Sequence, residues 1–202
     1  NNFDVISVGK IADIFANRGI TESFYTHSND EGMNKTLELL YKDFNGLVFT
    51  NLVDFDMKYG HRRDVQGYAN AISEFDNWLN DFMPNLKNDD LLIITADHGC
   101  DPAYKGTDHT REQVPLLMYS SDIVPENLGI IKGYNYIGNV ILENFDLRWL
   151  TIKSQAFFKT FLDRKKGYRK PSPMFQGLKK IKNKITLINQ NSKEYSSFAR
   201  CK

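Results

Sequence analysis

Apolar runs and polar breaks alternate along the first 145 residues at the spacing of an α/β protein. Phe3–Val8 is an apolar-rich run closed by Gly9, the pattern of a strand buried on both faces. Lys10–Ala16 carries Ile11, Ile14 and Phe15 at helical spacing, and Asn17–Gly19 ends that helix. Thr26–Gly32 reads as a polar loop before a helix over Met33–Phe44, with Leu37, Leu40, Tyr41 and Phe44 on one face. Gly46–Val53 is the next strand. Asp64–Leu86 is the longest predicted helix: Tyr68, Ile72, Phe75, Leu79 and Phe82 recur every three to four residues, and Pro84 stops the pattern. Strands follow at Leu91–Thr95 and Pro115–Tyr119, a short one is expected at Gly129–Lys132, and Tyr136–Phe145 predicts a final helix. Strands alternating with helices at this spacing predict a largely parallel sheet covered on both faces, an α/β/α sandwich.

Beyond Asp146 the periodicity fades, and charge marks the same boundary. Residues 1–150 hold 12 Lys and Arg against 23 Asp and Glu, a net −11, whereas residues 151–202 hold 14 against 2, a net +12. The overall charge of +1 hides that division. Residues 1–146 therefore read as the folded part and 147–202 as a basic irregular tail in which no element is predicted. A nucleic-acid arm and a membrane-surface segment are two readings of that tail. Its aromatics form no stacking platform, and its charged and apolar residues do not separate into faces. Its bias to Lys, Asn, Ile, Phe and Ser favours a third reading, a disordered or non-native segment.

No run approaches the ~18 apolar residues of a membrane span. Cys100 and Cys201 form no motif, so a reduced cytoplasmic setting is expected. The chain opens at Asn1, without methionine, directly in an apolar run, which suggests a fragment.

Chemistry concentrates where two predicted strands end. Gly46–Val53 leads into Asp56 and His61; Leu91–Thr95 leads into Asp97 and His98, and His109 lies eleven residues beyond His98. Three of the four histidines fall in these segments. Carboxylates with imidazoles and no nearby thiolate cluster suit Zn, Mn or Fe. Five ligands exceed one four-coordinate ion and suit two ions about 3.5–4 Å apart, as in phosphoryl-transfer sites. Arg62, Arg63 and Arg111 flank these ligands and, with Lys10 at a strand-to-helix turn, are candidates to meet a phosphate. His27 has no ligand partner at recognisable spacing and reads as structural.

The segments VDFDMKYGHRRD (53–64), ITADHGCDP (94–102) and GTDHTREQVPLLMYS (106–120) resemble the signature segments of the phosphopentomutase family, within the alkaline phosphatase superfamily. GKIADIFANRGIT, THSNDEGMNKT and IGNVILENF extend the resemblance over residues 1–146. It implies an alkaline-phosphatase-like three-layer fold, here incomplete, and an isomerase that moves a phosphoryl group between C1 and C5 of ribose or deoxyribose with two manganese ions. Asp56, His61 and His109 would hold one ion, and Asp97 and His98 the other. In the family, the second ion's remaining aspartate and the phosphorylated threonine precede the segment matching residue 1, so this chain alone is expected to be inactive. The expected partner is a pentose phosphate, neither a membrane nor nucleic acid. The rival reading is a non-catalytic metal-binding or interaction protein whose basic tail contacts nucleic acid.

Overall fold

Strand-forming runs of Val, Ile and Leu in this chain are too apolar to face water on either side, and they end up in the middle of a sheet. A computed structural model describes residues 3–147 and 184–189. They fall in two units, one built from residues 1–120 with 183–202 and one from 121–182.

The first unit holds a six-stranded sheet in the order β2-β1-β3-β6-β4-β5. The strands are β1 (Asp4–Val8), β2 (Glu22–Phe24), β3 (Gly46–Asn51), β4 (Asp90–Thr95), β5 (Leu116–Tyr119) and β6 (Lys184–Asn189). All neighbours run parallel except β4 and β5. The protein is thus α/β, with a mostly parallel sheet and flanking helices. Parallel pairing brings the ends of β3, β6 and β4 to one edge, with Asn51, Asn189 and Thr95 in register.

Helices α1 (Ile11–Ile14), α2 (Asn29–Tyr41) and α3 (Val65–Phe82) belong to this unit. The α3 stripe follows the predicted one at Tyr68, Phe75, Leu79 and Phe82, with Ala71 buried and Ile72 only partly so, and it packs with Leu92 and Ile94 of β4 and Ile188 of β6. Each buried Phe or Leu of the stripe contributes about 1.5–3 kcal/mol by leaving water. Asp64 caps the helix by accepting from the Gly67 amide at 2.8 Å. On the other face Phe15, just after α1, meets Phe49 of β3 at 6.4 Å between ring centroids.

Four features depart from the sequence pattern. Helix α2 starts at Asn29, inside the segment read as a loop. Ser28 caps it by accepting from the Glu31 amide, while the Glu31 carboxylate accepts from the His27 amide, so the polar residues are helix-starting ones. Strand β2 is a short edge strand without an apolar run. Gly129–Lys132 forms no strand: Gly129 has φ +62° and Ile130 is 75% exposed. Most consequential is β6. No element is predicted beyond Phe145, yet KITLIN supplies a strand at the centre of the sheet, with Ile185, Leu187 and Ile188 all at most 4% exposed. The rest of the basic tail lies outside the described residues.

Lys184 opens β6 as a buried lysine. Its ammonium donates to the carbonyls of Leu40, at 3.0 Å, and Lys42 at the end of α2, and lies 4.7 Å from the Phe44 ring centroid. A cation suits the negative end of a helix, which accounts for a lysine tolerated inside. Burial and nearby Lys87 lower its pKa, with Asp90 pulling the other way.

In the second unit the described helix is α4 (Asn135–Asn144), with Val140 buried.

Candidate metal centre

Asp56 and His61 are five residues apart, and on an α-helix that spacing would put them about 140° apart around the axis. The chain solves this with a π-helical turn, Phe55–Gly60, in which the His61 amide donates to the Asp56 carbonyl at 2.9 Å and the Asp64 amide to that of Tyr59 at 3.0 Å. The wider turn brings His61 Nε2 to 3.3 Å from Asp56 Oδ2. Two anchors hold it. Phe55 is fully buried, and Asp54 exchanges hydrogen bonds with Asn29: its amide donates to Asn29 Oδ1 at 2.8 Å, and its carboxylate accepts from the Asn29 amide at 3.0 Å. Gly60 closes the turn against buried Cys100; a Cβ there would lie 2.4 Å from Cys100 Sγ.

The other ligands arrive with β4 and the loop after it. Ala96 is buried, and Asp97 and His98 emerge at the strand's end with Oδ1 and Nε2 3.6 Å apart. The loop returns through a Gly99–Thr110 bridge, the Thr110 amide donating to the Gly99 carbonyl at 3.1 Å. That bridge delivers His109, whose Nε2 lies 3.4 Å from Asp56 Oδ1. The His109 ring stacks on His98 at 3.6 Å between centroids and stands 4.9 Å from His61. Asp56, His61 and His109 therefore converge, with His98 stacked on His109 and Asp97 next to His98.

Their chemistry fits a divalent ion. His61 Nδ1 faces the Thr107 carbonyl and His98 Nδ1 the Gly99 carbonyl, so each Nδ1 carries the proton and each Nε2 presents a lone pair. Asp56 Oδ1 is buried and accepts no hydrogen bond, an acceptor left for something else. His61 Nε2 lies 3.3 Å from Asp56 Oδ2 and His109 Nε2 3.4 Å from Asp56 Oδ1, and one ligand atom from each of the three residues lies within 4.8 Å of the others. Among the described residues no other His, Cys, Asp or Glu trio comes as close. Asp97 and His98 stand as a pair beside it.

The cationic candidates separate. Lys10, at the start of α1, reaches the sulfur of Met57, the chain neighbour of Asp56. Arg111 is exposed two residues beyond His109. Arg63 is not available as a phosphate binder, because its guanidinium is engaged by carbonyls of the loop carrying His109. Sequence spacing gave no sign of that, since the acceptors are backbone atoms. His27 keeps a structural place, its ring edge-on to Tyr25.

The family model of the Metalloenzyme superfamily matches residues 3–148. Among curated proteins, the chain is similar to a phosphopentomutase of Acetivibrio thermocellus, with 60% identity over 163 residues, covering 80% of this chain and 41% of that protein. Phosphopentomutases of Limosilactobacillus reuteri (49% over 159 residues; 78% and 40% covered) and Caldanaerobacter subterraneus (55% over 146; 72% and 37%) are similar too. The chain thus spans about 40% of the length of the relatives it matches.

Proposed function

The chain belongs to the Metalloenzyme superfamily, and from that premise we propose that it carries the metal-binding part of a phosphopentomutase core, residues 1–146, acting on ribose or deoxyribose 1- and 5-phosphates in the cytoplasm. The observation that carries this reading is that Asp56, His61 and His109, from two distant segments, bring one ligand atom each to within 4.8 Å of one another. No helix of the described residues is long and apolar enough to cross a membrane.

Asp56, His61 and His109 would hold one divalent ion and Asp97 with His98 would contribute to a second, with Mn²⁺ the proposed metal at both. Divalent ions so placed neutralise charge on phosphoryl oxygens. The chain's own groups have distinct parts. Thr107 and Gly99 carbonyls hold His61 and His98 in the tautomer whose Nε2 can ligate. Lys10 and Arg111 supply positive charge for the substrate's phosphate, Arg111 with a fork that matches two oxygens at once. These residues bind and orient; the nucleophilic threonine of the family is not among them, and an ion pair of ligands short of a full set binds its metal weakly. We therefore propose that the chain alone binds one ion well and does not turn over.

The test is a calorimetric Mn²⁺ titration of the 202-residue chain, paired with conversion of ribose 1-phosphate to ribose 5-phosphate. Saturable uptake that is lost in His109→Ala, without turnover, is expected. Absence of uptake would remove the metal reading, and steady turnover would remove the claim of inactivity.

A further inference from the structure

We propose that Arg63 is a positioning residue that sets His109 against Asp56, an inference that rests on the metal reading above. Arg63 lies in the reversal between the π-helical turn and α3, two residues past His61. Its side chain donates to three backbone carbonyls of the β4–β5 loop: Nη1 to Asp101 at 2.8 Å, Nη2 to Asp108 at 2.7 Å, and Nε to Gly106. Asp108 immediately precedes His109. One planar cation thus gathers both limbs of the loop, and the element that carries Asp56 and His61 directly fixes the element that carries the third ligand.

The backbone supports the assignment. Arg63 has φ +57°, a left-handed conformation that costs a residue with a Cβ about 1–2 kcal/mol and that glycine adopts freely. An arginine in that place has to be compensated by its side chain, and here the compensation is the set of three carbonyls. Geometry also requires arginine. Donors spread around a rigid fork can face three carbonyls in different directions, whereas an ammonium concentrates its donors at one point. Other ties of the loop include the His61–Thr107 contact, the Thr110–Gly99 bridge, the Asp101 amide on Thr110 Oγ1 at 2.7 Å, the turn in which the Ala103 and Tyr104 amides donate to Asp101, and the His109 ring on His98. Its residues from Ala103 to His109 are exposed, so no core packing holds His109 in place.

The experiment uses the full chain with Mn²⁺ alone as probe, comparing wild type, Arg63→Ala, Arg63→Lys and His109→Ala. Residues that orient metal ligands without touching the metal change affinity about 10–100-fold, and that loss is expected for Arg63→Ala, with Arg63→Lys between it and wild type. In metal-free protein, amide exchange over residues 99–110 should accelerate in Arg63→Ala while α3 and β4 stay protected. Arg63→Ala affinity within about twofold of wild type, with His109→Ala impaired, would overturn the proposal, as would unchanged exchange in the loop. If the alanine variant does not fold, Arg63→Lys decides by the same two readouts. If wild type takes up no Mn²⁺, the metal reading falls and loop exchange alone judges whether Arg63 holds the loop.

Discussion

Truncating Ile188 to alanine tests whether β6 is a working part of the sheet. Ile188 is 1% exposed and belongs to the cluster formed by Phe75, Leu79 and Phe82 of α3 with Leu92 and Ile94 of β4. It also lies on a strand paired on both sides, to Thr50 and to Ile94, so the surroundings have little freedom to collapse into the space. Deleting three carbons from such a site costs about 2–5 kcal/mol, against a total stability of about 5–15 kcal/mol for a domain. With a urea dependence of about 2 kcal/mol per molar, the unfolding midpoint should drop by roughly 1–2.5 M. Ile14→Ala serves as the control: its side chain is 67% exposed and its truncation should change stability by less than about 0.5 kcal/mol. Equilibrium urea unfolding followed by far-UV circular dichroism supplies both numbers. If Ile188→Ala moved the midpoint no more than the control, β6 would not occupy the centre of the sheet, and the register that aligns Asn51, Asn189 and Thr95 would be wrong.

Cys100 gives a pH prediction. Burial, with the charge of Asp56 adding to it, pushes its thiol from 9.0 to about 11. The folded value lies above the unfolded one, so the thiol form favours folding: its contribution is complete below pH 9 and is lost as pH rises through about 11. Chemical unfolding of wild type and Cys100→Ala between pH 8 and 11 should show the steeper decline in wild type, and parallel curves would refute the cause. Gly60→Ala should destabilise by about 1–3 kcal/mol, since its new methyl would meet Cys100 Sγ at 2.4 Å and the Phe55 carbonyl at 2.9 Å. Adding Cys100→Ala should relieve part of that loss; strict additivity of the two changes in thermal unfolding would show that the contact is not the origin.

What the chain discloses in one dimension follows from which forces act locally. β1, β3 and β4 and the α3 stripe were legible because burial on a regular element leaves a period in the sequence, from Leu91–Thr95 to Tyr68, Phe75 and Phe82. The five candidate ligands could be named because His and Asp rarely coincide at strand ends by chance, and the structure brings Asp56, His61 and His109 together with Asp97 and His98 as a pair beside them. The π-helical turn was not legible: six residues carry no period, and their geometry is set by Phe55 and the Asn29–Asp54 exchange, which bridges 25 positions. Arg63 was hidden for a related reason, its partners being carbonyls that every residue possesses. KITLIN has the apolar, β-branched character of a buried strand, but the lysine-rich composition around it outweighed six residues, and the carbonyls of α2 that accept from its lysine lie more than 140 positions away.

The order β3-β6-β4 also imposes a schedule on synthesis. Asp56 follows one of these strands and Asp97 the other, yet the strand between them is made last, with residue 189 following residue 51 by 138 positions. At translation rates of about 5–20 residues per second, that gap lasts roughly 7–30 s. Throughout it, the β3 and β4 borders destined for β6 have no other strand partner among the described residues. Such borders invite pairing with other chains, so the yield of correctly folded protein should depend on holding the nascent sheet apart from its copies until the last strand arrives.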